Sequence, residues 1–209
     1  MHQDTLSTRE KILQTACSLF ARKGYDAVSI RDICHEVGIK ESTVYYHYAN
    51  KRDILVCMLK RIDALIDWKR EAFDAAFQSA AHVSEDEMAA VAVHLLTDYY
   101  CHPDVHRILS ILSIERLHDE ALNSQYLRIA CALPLAQQEA VFQRMAARGM
   151  IRGGDTRGIA ILFHGVVYSA YAQHCLGASE PKIECAMAMI SDGIRSLYRS
   201  IITEQEADT

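Results

Sequence analysis

Residues 29–55 read SIRDICHEVGIKESTVYYHYANKRDIL, and the spacing of serine, glycine and apolar residues in this stretch decides the fold. Ser29 is a helix-capping residue, and Ile30, Ile33, Cys34 and Val37 fall on one face of the short helix it opens. Gly38 ends that helix by permitting a left-handed backbone, and Ile39 is placed to tuck between helices. A three-residue turn then leads into a second short helix. Val44, Tyr45 and Tyr48, at i, i+1 and i+4, are predicted to face inward, leaving Lys40, Glu41, Ser42, Thr43, Tyr46 and His47 outward or at the leading end. Two short helices meeting steeply across such a turn make a helix-turn-helix, whose second helix presents its first residues to base edges.

Outward from this stretch the pattern stays helical. On the N-terminal side Ile12, Leu13, Ala16, Cys17, Leu19 and Phe20 form the stripe of an amphipathic helix, capped by Ser7 or Thr8 and stopped by Gly24. On the C-terminal side Asn50 is a cap for a fourth helix, and Ile54, Leu55, Met58, Leu59, Ile62, Leu65 and Ile66 predict a long helix from Asp53 through Trp68 to Phe77. Later breaks near 81–84, 102–103, 118–119, 153–155 and 177–181 divide the remainder into five or six helices. Pro103 and Pro181 each suit the first turn of a new helix, whereas Pro134 falls inside a helical pattern and is expected to kink it.

The 209 residues are half apolar, which is enough to bury a core, and contain only 9 glycines and 3 prolines, too few for the turns of a sandwich or barrel. No apolar run reaches the roughly 20 residues that cross a bilayer, so no membrane partner is predicted. The opening residues lack the basic and apolar regions of a signal peptide, and seven cysteines without a CxxC pair suit reduced thiols, so a cytoplasmic location is expected. The net charge of −5 at first opposes a phosphate-rich partner. Its distribution does not: residues 1–52 hold eight Lys or Arg against six Asp or Glu, while the remaining 157 hold 14 against 21.

These residues carry a resemblance. Thr8, Ile12, Leu13, Ala16 and Phe20, then Gly24, Tyr25, Ser29, Ile33, Gly38 and Ile39, then Thr43, Val44, Tyr45, His47 and Tyr48, with Asn50 and Lys51 behind them, resemble the TetR family of bacterial transcription regulators over about residues 8–55. The resemblance implies an all-α fold, with a three-helix helix-turn-helix head (residues 1–52) that binds DNA and a helical body (residues 53–209) that binds an effector and dimerises. It places Arg31 at a base edge or phosphate, where its fork suits the two acceptors of guanine. Lys40, Glu41, Ser42 and Thr43 occupy the first turn of the reading helix, and Tyr45, Tyr46 and His47 stand where phosphates or thymine methyls are held. Lys51, behind its Asn50 cap, is expected on phosphate. Three cations per subunit on phosphate would give a dimer a salt slope of about −5.

For the body, the resemblance implies an effector pocket and a homodimer that matches a palindromic operator. Trp68, Leu96, Tyr99, Tyr100, Ile108 and Leu112 are candidates for the lining. Tyr126, Phe142 and Phe163 join them, with His164 and Cys131 as polar groups. Aromatic and thiol groups without a run of like charge favour a small, largely apolar molecule. The last two helices, about 156–176 and 182–202, would pair with their copies as a four-helix bundle through Gly158, Leu162, Gly165, Ser169, Ile190, Ile194 and Leu197. Ligand binding would move the fourth helix and shift the reading helices from the spacing of about 34–36 Å that suits successive major grooves.

Two other readings use the same residues. Cys101, His102, His106 and His94 offer ligands to a soft metal such as zinc, or the thiols could sense oxidants, although Pro103 sets His102 outside a helix and spoils the i, i+4 spacing. A helical enzyme is disfavoured because no HExxH, GxSxG, phosphate loop or glycine-rich dinucleotide motif occurs, and no cofactor is predicted.

Overall fold

In the computed structural model, which describes residues 6–63, 83–151, 154–178 and 180–202, every regular element is a helix. Helix α1 (Thr8–Lys23) starts where the Ser7 side chain accepts from the Glu10 N–H, and it ends at Gly24 with φ +86°. Helix α2 (Ile30–Val37) is opened by a reciprocal capping box between Ser29 and Asp32. Gly38, left-handed at φ +76°, closes it, and the Gly38 and Ile39 N–H groups both donate to the Cys34 carbonyl. Helix α3 (Glu41–His47) follows, with Val44 fully buried. Tyr48 ends it, buried, with its hydroxyl donating to the Arg9 carbonyl at 3.0 Å. Residues 51–63 form α4, whose start is fixed by Asn50 and Asp53 exchanging bonds with the backbone. The predicted continuation of α4 to Phe77 lies outside the described residues.

Among the described residues six further helices build the body: α5 (Glu85–His94), α6 (Pro103–Glu115), α7 (Glu120–Leu127), α8 (Leu133–Ala147), α9 (Thr156–His174) and α10 (Ile183–Ile201). Pro103 opens α6 as predicted, but Pro181 lies two residues ahead of α10 and belongs to the connection. Two joints are π-helical: Leu95–Tyr100 prolongs α5, and Arg128–Ala132 fuses α7 to α8. Pro134 explains the second joint. It has no N–H for the Ala130 carbonyl, and the Leu133 N–H instead reaches back five residues to Arg128.

Head and body share one continuous core, because α1 packs beside α6 and Met58 and Ile62 of α4 lie in the same seam as Ile108. Arg61 of α4 bridges Glu10 of α1 and Asp104 of α6. At the far end α10 packs on α5 and α9, fastened to α5 by the Arg199–Glu85 pair and to the segment just before it by the Tyr198 hydroxyl on the Val83 carbonyl. Helices α9 and α10 approach closely at Gly193, where an added Cβ would meet Val166 at 2.7 Å.

This packing corrects part of the predicted dimer face. Ile190, Ile194 and Leu197 are buried within the chain, so they serve its own core. The α9 residues behave differently. Leu162 is 59% exposed and Ile161 49%, Gly165 is exposed, and Gly158 and Ser169 are half-buried on the same helix.

Candidate nucleic-acid interface and sensing core

The face of α3 opposite Val44 is open. Tyr46 is 83% exposed and Tyr45 52%, so the expected inward turn of Tyr45 is corrected. In a helix of seven residues the position after Val44 lies about 100° round the axis, beyond the strip that α1 and α2 can cover. Tyr46 stands edge-on to the His47 ring at 5.0 Å. Ser42 is exposed, Thr43 and His47 are half-buried, and Lys40 is the exposed residue at the helix start.

Arg31 of α2 joins this face from the side. Its Nε donates to Glu41 Oε1 at 2.9 Å, which brings the first turns of α2 and α3 together. That contact occupies one edge of the guanidinium and leaves the two terminal nitrogens for a guanine or phosphate. The pair is well exposed, with Arg31 at 85%, so DNA can compete for it at little cost.

Lys51 is placed otherwise than the sequence suggests. Its ammonium donates to the carbonyls of Tyr25 at 2.8 Å and Val28 at 3.0 Å, and it lies 4.2 Å from the centre of the Tyr25 ring. Two of its three donors are committed to the loop between α1 and α2. Tyr25 is held from the other side as well, its N–H donating at 2.9 Å to the carboxylate of the buried Glu115, the last residue of α6. Nothing in the local pattern announces Glu115, which follows a run of ordinary core residues.

In the body, Leu96, Tyr99, Tyr100, Ile108, Leu112, Tyr126, Phe142, Phe163 and His164 are all buried and Cys131 is partly so, whereas Trp68 lies outside the described residues. Several of them converge. The Tyr99 and Tyr100 hydroxyls donate at 2.7 Å to the carbonyls of Ile129 and Ala130, so one π-helical joint is fastened to the other. Burial holds both phenols far above their ordinary range, so they remain donors. On α9, His164, Tyr168 and Tyr171 follow at i, i+4 and i+7 and pack with Tyr100 into one aromatic cluster. Burial also lowers the His164 pKa, favouring a neutral imidazole.

The residues of the metal or redox reading are dispersed. His94 is exposed beside Asp98, His102 caps α6, and His106 faces the Tyr171 hydroxyl at 3.2 Å. The Cys101 thiol is pushed up to about 12, chiefly by burial and then by Cys175 beside it, which makes it a poor nucleophile. Among the described residues no group of three or more His, Cys, Asp or Glu could hold a metal ion, and no helix is long and apolar enough to cross a membrane.

Comparison with known proteins locates this head. Residues 12–57 match the family described as bacterial regulatory proteins, tetR family. The same region is 46% identical over 46 residues to the biofilm operon icaADBC HTH-type negative transcriptional regulator IcaR of Staphylococcus epidermidis, and 41% identical to that of Staphylococcus aureus (strain Newman). Those matches span about a quarter of the relatives' length, 25% in each case, and 22% of this chain. Solved structures extend the likeness of fold to the body. A putative TetR-family transcriptional regulator from Mesorhizobium loti MAFF303099 superposes with a TM-score of 0.72 at 18% identity, covering 93% of this chain and 96% of that one. The SmeT–triclosan complex gives 0.71 at 17%, with coverage of 96% and 94%. A putative transcriptional regulator from Saccharomonospora viridis in complex with choline gives 0.66 at 20%, with coverage of 94% and 98%. Residues 12–57 thus carry a head that matches the tetR family of bacterial regulatory proteins, on a helical chain that shares the fold of solved TetR-family regulators.

Proposed function

We propose that the chain is a homodimeric repressor whose head, residues 1–52, binds a palindromic DNA operator and whose body, residues 53–209, binds a small, largely apolar effector that releases it. The observation that carries this reading is the open face of α3, where the exposed aromatic ring of Tyr46 stands beside Lys40, Ser42 and the side-approaching Arg31. No packing role accounts for a large aromatic side chain held so far into solvent on a short helix.

Repression is supported by the relatives named as negative transcriptional regulators over this same head. A small-molecule effector is supported by the triclosan and choline complexes of proteins sharing the fold. A second copy is supported by the exposed Ile161, Leu162 and Gly165 on α9, an apolar strip suited to close helix packing. With Lys51 turned to the Tyr25 loop, two cations per subunit remain, Arg52 and either Arg31 or Lys40. The expected salt slope falls to about −4 for a dimer.

The test is selection of bound fragments from sheared DNA of the source organism by the full-length protein, followed by footprinting and a salt titration. A protected palindrome and a slope near the expected value support the reading. Failure to enrich any site, or a slope near zero on an enriched one, overturns it.

A further inference from the structure

Arg116, directly after α6, holds its guanidinium carbon 4.4 Å above the Tyr126 ring. The Tyr126 hydroxyl shares a hydrogen bond with that of Tyr168, whose ring stacks on His164 at 5.8 Å with an interplanar angle of 11°. Tyr100 closes the group, tilted against both rings at 6.1 and 6.5 Å. A guanidinium and four rings from four different segments thus form one continuous series.

Its polar atoms are left open. His164 is 8% exposed, yet neither ring nitrogen has a hydrogen-bond partner among the described residues, and the buried Nε of Arg116 has none either. Arg116 forms no ion pair among the described residues, since its neighbour Glu115 spends its carboxylate on the Tyr25 N–H. Buried polar atoms in a folded chain are ordinarily satisfied, so an unpartnered imidazole and an unpartnered guanidinium Nε in one aromatic cluster call for a missing partner. Both π-helical joints border the same place, because Tyr100 belongs to one and its hydroxyl donates to the Ala130 carbonyl of the other, and such joints gather at functional sites.

We propose that this cluster binds an aromatic carboxylate, its ring among those of Tyr126, His164 and Tyr168 and its carboxylate on Arg116. A guanidinium matches a carboxylate in charge and shape, and the ring faces supply stacking. The neutral imidazole of His164 offers a donor or an acceptor to a ring substituent. Entry separates the Tyr126 and Tyr168 hydroxyls. The inference deepens the effector reading above and rests on it. It also supplies a route to the head, because a ligand drawn onto Arg116 loads the turn whose adjacent residue, Glu115, holds Tyr25.

The test uses the full-length protein without DNA, so that loss of operator binding falls on the regulator reading and loss of probe binding falls on this one. Thermal unfolding and titration calorimetry are run with 1-naphthoate and biphenyl-4-carboxylate beside their primary amides. At least one carboxylate is expected to raise the unfolding temperature and to bind about tenfold or more tightly than its amide, as a charge-assisted contact requires. Arg116→Gln should remove that preference, and His164→Phe should weaken both members of a pair alike. Equal binding of carboxylate and amide, or no binding of any probe, overturns the proposal. If Arg116→Gln does not fold, the carboxylate-to-amide comparison on the unmodified protein decides alone.

Discussion

The backbone N–H of Tyr25 donates to the Glu115 carboxylate at 2.9 Å, and this bond joins the loop between α1 and α2 to the last turn of α6. A Cβ on Gly24 would only touch the same carboxylate oxygen, at 3.4 Å, so it is the φ of +86° that favours glycine at this junction. Glu115→Ala would leave the amide without its acceptor, at a cost of about 1–3 kcal/mol, while Glu115→Gln keeps an acceptor and should retain most of the stability. Urea unfolding of the two variants gives the comparison. If the bond also transmits the state of the body, Glu115→Ala will narrow the difference in operator affinity between effector-free and effector-saturated protein.

Lys51 lies on the other side of the same residue. Its two bonds to the Tyr25 and Val28 carbonyls predict that Lys51→Ala lowers the stability of the folded protein, by about 1.5–3 kcal/mol for bonds to a charged donor. A phosphate contact alone would predict unchanged stability and a salt slope shallower by about 2 in the dimer. Thermal unfolding of the variant without DNA separates these outcomes, and a drop in midpoint is expected.

Lys51 shows where the sequence was readable and where it was not. The punctuation of the head is local chemistry. Ser7, Ser29 and Asn50 cap the helices that begin beside them, and Gly24 and Gly38 take the positive φ values that end the helices before them. Every one of those assignments needs only a few neighbouring residues. The partners of Lys51, by contrast, are carbonyls 23 and 26 residues away in a loop, which no periodicity encodes. The α10 stripe fails for another reason: an apolar face states that Ile190, Ile194 and Leu197 are covered, and is silent on whether their own chain or a copy covers them. Arg116 and Tyr168 escaped notice because each belongs to the cluster only through residues on other helices, although the His164, Tyr168 and Tyr171 spacing on one face of α9 was a visible sign.

The tyrosine clasp between the π-helical joints predicts a measurable coupling. Pro134 cannot donate to the Ala130 carbonyl, and the Tyr100 hydroxyl takes that acceptor at 2.7 Å. Tyr100→Phe would leave the carbonyl buried and unpaired, costing about 1–3 kcal/mol. Pro134→Ala restores an N–H four residues on, so the cost of Tyr100→Phe should shrink by more than half in that background. Chemical denaturation of the two single variants and the double variant completes the cycle. Additive losses would mean that the hydroxyl and the proline act independently.

Exposure separates two roles that look alike in the sequence of the last helices. Leu162 is 59% exposed on α9, whereas Ile194 is fully buried on the inner face of α10. Leu162→Glu would place a charge on the strip proposed for a second copy and should dissociate the dimer while leaving the helical content and the unfolding temperature of the isolated chain close to their original values. Ile194→Ala should do the reverse, opening a cavity that costs about 2–5 kcal/mol of folding stability without touching that strip. Sedimentation velocity reads the first effect and denaturant unfolding the second. A fully dimeric Leu162→Glu protein would exclude this face of α9 as the contact, because a glutamate buried there without a partner could not be accommodated at so small a cost.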